Sequence, residues 1–254
     1  MKKLILPLLL ISVVACKKSD STSTTTPTTT TTTTGSVDIT SVVQAKFASS
    51  VTITVSGDNL ILKSDGRPNH KSPYWGVSSS MYEPFPAGHQ SNPGGVIGVQ
   101  HYTMTIPAKP AGASSHEETS LAAIGMALNG VAIFNNTEAG GVALDAGILS
   151  SLDGAGAHPA QSENYHYHVS GTYTTVDDAN LVGFLRDGFP IYGRKDKDGT
   201  YPSNLDAYNG HTAATTEFPN GIYHYHIRSE NYLNSGYYIL KSGAYYGTKG
   251  TFTE

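Results

Sequence analysis

Cysteine, tryptophan and charge are all scarce in this chain of 254 residues: there is one cysteine, Cys16, one tryptophan, and only 14% Asp, Glu, Lys and Arg. One cysteine excludes an internal disulfide, so stability has to come from packing or from a bound metal. The net charge is -4 and no basic block follows the extreme N-terminus, which excludes a counterion-releasing surface for nucleic acid. No G-x-S-x-G nucleophile elbow occurs. Against these absences stand 16 Tyr and 27 Gly, a mixture that favours strands and tight turns. With 38% hydrophobic residues, the length suffices for one large domain or two small ones. The expected fold is all-β, or β-rich with minor helix.

The N-terminus reads as a targeting segment. "MKK" is cationic, residues 4–14 form a short apolar run, and Ala15 precedes Cys16. The run is shorter than the roughly 20 residues of a spanning helix. "SVVAC" resembles a bacterial lipoprotein signal, which implies a signal peptide over 1–15 and lipidation of Cys16. Eleven of the fourteen positions from 21 to 34 are Thr, so residues 16–36 read as a lipidated cysteine and a Thr-rich linker. The globular domain is expected over 37–254. "SSVTITVSGDNLILKSDG" predicts a hairpin turning at "SGDN", and "VIGVQHYTMTIP" a strand stopped by Pro107.

An internal repeat organises the rest. "IGMALNGVAIFNN" begins at Ile124 and "VGFLRDGFPIYGR" at Val182, 58 residues later; "YHYH" begins at Tyr165 and again at Tyr223, also 58 later. Between them lie "DGAGAH" from Asp153 and "DAYNGH" from Asp206, 53 apart. Each copy predicts a hairpin around Asn129-Gly130 or Asp187-Gly188, a loop carrying Asp and His, and a strand carrying His-x-His. A single domain of two similar halves about a pseudo-two-fold axis is expected.

Alternation in a strand places the two tyrosines of YHYH on one face and the two histidines on the other. His166, His168, His224 and His226 are therefore expected to converge near the axis, with His158 and His211 supplied by the loops. Asp153 and Asp206 would orient the imidazoles from behind. Six imidazoles suit a transition metal, zinc or copper foremost. A hydrogen-bonded His/Tyr network without metal, and metal-free acid–base chemistry, stay open beside it. His70 and His101 stand apart as single histidines. Asp196 and Asp198 in "RKDKDGTYPSNLD" lack EF-hand spacing and read as a hairpin tip. Glu163 is the acid nearest the first motif; its counterpart is Gly221.

These ordered motifs, with "SDGRPNHKSPYWG" upstream, resemble the YHYH domain family of exported bacterial proteins over roughly residues 60–245. The resemblance implies domain identity and export and carries no reaction. Where relatives often have a cysteine near the Asp of the Asp-to-His loops, this chain has Gly154 to Ala157 and Ala207 to Asn209, so a thiolate role does not transfer. The combined expectation is a lipoprotein with a His-rich metal site, anchored to the membrane through Cys16 at the outer membrane or surface of a Gram-negative cell. The alternatives are a metal-dependent hydrolase or oxidoreductase of the cell surface, and a metal-free structural module that binds glycan or protein.

Overall fold

A computed structural model describes residues 36–254 apart from 94, 161, 175 and 176. The expected signal peptide, Cys16 and the Thr-rich linker up to residue 35 lie outside the described residues. None of the described helices is long and apolar enough to cross a membrane. In chain order the main elements are α1 (Thr40–Lys46), β1 (Thr52–Ser56), β2 (Asn59–Ser64), β3 (Tyr102–Pro107), β4 (Gly125–Ala127), β5 (Ala132–Ile133), β6 (Thr137–Glu138), β7 (Val142–Ala143), α2 (Ala146–Ser151), β8 (Ala157–Pro159), β9 (Tyr165–Tyr167), β10 (Leu181–Leu185), β11 (Pro190–Tyr192), β12 (Gly210–Ala213), β13 (Ile222–His226) and β14 (Thr251–Thr253). The fold is β-rich with minor helix.

A four-stranded sheet in the order β1-β2-β3-β14 carries the first hairpin at its edge. Ser56 pairs with Asn59 across Gly57-Asp58. Gly57 has φ +57°, as a glycine at the first central position of a II′ turn requires. Along β3, Tyr102, Met104 and Ile106 are buried while Thr103 and Thr105 are half-buried, the alternation of a sheet with one face on the core. The strand starts at Tyr102, later than the apolar run from Val96 suggests.

The larger sheet has eight strands in the order β12-β13-β11-β10-β4-β5-β9-β8. Read inward from either end, each half runs antiparallel, then parallel, then antiparallel. The halves meet at β4 and β10, where Met126 faces Phe184, its own counterpart 58 residues on, and Gly125 and Ala127 face Leu185 and Gly183. Two glycines make this close seam possible. A Cβ on Gly125 would lie 2.7 Å from the carbonyl oxygen of Phe184, and one on Gly183 would collide with that of Met126. Both repeat hairpins are three-residue loops: Gly130 (φ +90°) and Gly188 (φ +84°) supply the left-handed residue, whereas Asn129 and Asp187 keep negative φ. The predicted Asn-Gly and Asp-Gly turns therefore close as a type I turn followed by a bulge, not as a two-residue turn.

Candidate metal centres

Each YHYH strand lies beside a shorter strand that brings a third histidine. His158 on β8 is directly opposite His166 on β9, and His211 on β12 is directly opposite His224 on β13. Directly opposite residues share a face with Cβ atoms about 4.5–5.5 Å apart, and His168 and His226 follow on the same face by the strand period of two. His158 and His211 are thus delivered by paired strands and not by loops. A carboxylate completes each set: Glu138 at the end of β6, and Asp196 in a turn where its N–H donates to Thr200 O.

In the first group Glu138 Oε1 lies 2.9 Å from His158 Nε2 and 3.1 Å from His168 Nε2, and the Nε2 atoms of His166 and His168 are 3.0 Å apart. In the second, Asp196 Oδ1 lies 3.0, 3.4 and 4.0 Å from the Nε2 atoms of His211, His226 and His224. Four ligand atoms in each group fall within 4.8 Å of one another. Donors at about 2.0–2.2 Å from a tetrahedral ion stand roughly 3.3 Å apart, so these spacings fit one ion per group. The histidines are 0–7% exposed, while the Glu138 and Asp196 side chains keep 21% and 23%, so the carboxylate faces the opening.

The far nitrogen of every ring decides what faces inward. His166 Nδ1–H donates to Asn164 O, His168 to Asn135 O, His224 to Ile222 O and His226 to Gly193 O, at 2.6–3.0 Å. A carbonyl can only accept, so each Nδ1 holds the proton and each Nε2 presents a bare lone pair. His158 Nδ1–H donates to Ser151 Oγ, whose own hydrogen goes to Ile148 O, and His211 Nδ1–H donates to Asn204 Oδ1. Three lone pairs and a carboxylate oxygen therefore point at one another in each group. No hydrogen bond can join them, and a cation between them can.

Protonation follows the same direction. Burial depresses His158, His166 and His226, and takes His224 down to about 3. Burial pushes Glu138 up, but a second proton on His158 or His168, carried at Nε2 and donated to the carboxylate, outweighs burial and holds the carboxyl well below its ordinary range while those rings are charged. Neutral imidazoles beside an ionised carboxylate are the state a metal requires.

The six histidines do not converge on the seam. Four strands, β5, β4, β10 and β11, separate β9 from β13, about 24 Å at the usual strand spacing. One shared site is replaced by two. Asp153 and Asp206 do not orient imidazoles either: they lie on the opposite face, where Tyr165 OH donates to Asp153 Oδ2 (2.6 Å) and Tyr223 OH to Asp206 Oδ2 (3.0 Å). Each Asp also accepts two backbone N–H groups of its own loop. His70 is buried on the tyrosine side, 2.7 Å from Tyr167 OH, and His101 is exposed. Glu163 is exposed at a turn with φ +63° and belongs to neither group.

The family model described as YHYH protein matches residues 103–204. Residues 103–204 are a YHYH domain. No curated protein and no solved structure matches the chain. The matched stretch holds all of the first group and Asp196, and the second group's histidines follow it.

The carboxylates of this YHYH domain escaped sequence reasoning, although the repeat held the signal. Glu138 and Asp196 are themselves 58 residues apart, in "IFNNTEAG" and "IYGRKDKDG". Reading Asp196 as a hairpin tip located it correctly in a turn and missed that its side chain reaches the histidines.

Proposed function

We propose that this YHYH domain binds two transition-metal ions, one in each half, each held by three imidazole Nε2 atoms and one carboxylate. The observation that carries the reading is the set of inward lone pairs fixed by carbonyl and side-chain acceptors on every Nδ1. Three nitrogens and one oxygen suit zinc or copper, and also iron or nickel. We read the halves as related by a local two-fold through the Met126–Phe184 pair. With Cys16 as lipid anchor, the ions would be held at the cell envelope, at the outer membrane or surface of a Gram-negative cell. The anchor is tested by metabolic labelling with a fatty acid, which Cys16→Ser should abolish.

A metal-dependent enzyme is the second reading, favoured by a pocket of about 420 Å³ lined by Asp196, Lys197, Asp198, Ala213 and Ala214. Bound there, an ion would supply Lewis acidity, with Asp196 at the pocket wall.

Elemental analysis of the untagged protein separates these readings from a metal-free network. Two equivalents per chain are expected, falling to one in either His168→Ala or His226→Ala. A folded parent that carries no metal and takes up neither zinc nor copper would overturn the proposal.

A further inference from the structure

The two groups have like donors, but the segments that carry their third histidine are built differently. From Ser151 to His158 every residue except the half-buried Gly154 is buried; at the counterpart positions from Asn204 to His211, only Gly210 and His211 are. Ser151, which holds His158 Nδ1, is 6% exposed, whereas Asn204, which holds His211 Nδ1, is exposed. Asp153 is fully buried and Asp206 is exposed.

The first loop is also held by a strap without a counterpart in the repeat. Residues 72–92 run over the first loop and hydrogen-bond it repeatedly. Tyr74 OH donates to Ser151 O (2.5 Å), Ser72 Oγ to Asp153 Oδ2 (2.5 Å), Gln90 N to Ser150 O (2.9 Å), His89 Nδ1 to Leu152 O (2.7 Å) and Asn92 Nδ2 to Pro159 O (2.9 Å). Among the described residues, the hydrogen bonds of residues 203–209 stay within their own half, to Gly210, His211, Tyr223 and His226. The second carboxylate, Asp196, also lines the open pocket described above.

Ion release from a buried group requires the local segment to open, and its rate follows the stability of that segment. We propose that the first centre retains its ion and the second exchanges with the surroundings, which makes the domain a carrier of one resident and one transferable ion. This rests on the two-ion reading. The exchange partner is any acceptor with ligands small enough to enter beside Asp196, such as a small chelating molecule or a flexible metal-binding side chain.

The test is release from the full chain loaded with zinc, followed by the absorbance of a small coloured chelator in excess. Two phases of one equivalent each are expected, at least tenfold apart in rate. Asp196→Asn should remove the fast phase and Glu138→Gln the slow one. Tyr74→Phe touches no ligand and loses both the bond to Ser151 O and the one accepted from Asn92 N–H within the strap, so it should speed the slow phase several-fold and leave the fast phase unchanged. Release of two equivalents in one phase, or loss of the fast phase in Glu138→Gln, would overturn the exchange proposal with the two-ion reading intact. A chain that takes up no zinc would instead fail the reading beneath it.

Discussion

On the histidine side of the eight-stranded sheet, the two halves agree in kind at every position that matters to an ion. Each has three Nε2 donors, each Nδ1–H donates to an oxygen, and each has a carboxylate at the counterpart position. The tyrosine side agrees less. Tyr165 and Tyr223 both donate to an aspartate, but Tyr167 OH accepts from Asn129 Nδ2 and meets His70, whereas Tyr225 OH donates to the buried carboxylate of Asp187 (2.5 Å) and accepts from Tyr246 N. One side tolerates Glu for Asp and little else; the other needs only a satisfied hydroxyl, which many partners provide. Donor geometry is the stricter demand because a lone pair must point at a fixed place, whereas a buried hydroxyl needs any acceptor or donor within reach.

The most damaging way to break the comparison is at the seam that joins the halves. Gly183→Ala sets a Cβ against the Met126 carbonyl oxygen, and a stability loss of about 3 kcal/mol or more is expected by urea unfolding. On the tyrosine side, Asp187→Ala strips the acceptor from Tyr225 OH, Gly247 N and Phe189 N, an expected loss of about 3 kcal/mol. Asn129→Ala should lose about 1 kcal/mol, because Tyr167 OH retains His70. Equal losses would show that the two tyrosine networks are equivalent after all.

Zinc at a hundredfold excess over Kd should stabilise the parent by about 2.7 kcal/mol per site, read as a rise in Tm. His168→Ala and His226→Ala should each lose one site's share. The supporting residues sharpen the contrast further. Asn204→Ala should weaken zinc binding at the second centre about tenfold by competition titration, through lost support of His211. The mildest lever is alkaline pH. Burial raises Tyr167 and Tyr225 far above the usual phenol range, and the Asp187 charge adds to it in Tyr225. The unfolded chain releases these protons near pH 10 while the native state keeps them, so their contribution is whole below about pH 10 and falls as pH rises beyond it. Unfolding midpoints at pH 9 and pH 11 should show that fall, and Asp187→Asn should shrink it.

Much of this arrangement is legible in the sequence because strand alternation and a repeat offset are local properties. The β-rich class, the edge hairpin at Gly57-Asp58 and the division of YHYH into two faces follow from them. The location of the sites does not. Whether β9 and β13 lie beside the seam or away from it depends on which strands intervene, and parallel pairing with β5 and β11 puts both motifs near the sheet's ends. Asp153 and Asp206 misled for a related reason. Their distance from the histidines in sequence is short, but the pleat sends Tyr165 and Tyr223 toward them and His166 and His224 away. The strap of residues 72–92 lies outside the repeat altogether, so no internal comparison could reveal it.

The pairing of Met126 with Phe184 is the register that two identical chains would adopt across a symmetric contact. Two such chains would be obliged to carry the same loops and the same straps, since any change in one copy is a change in both. Covalent linkage lifts that obligation. Within one chain the ion-facing positions can stay alike while a neighbouring segment covers only one of them, and a twin structure becomes a molecule with two distinguishable ends.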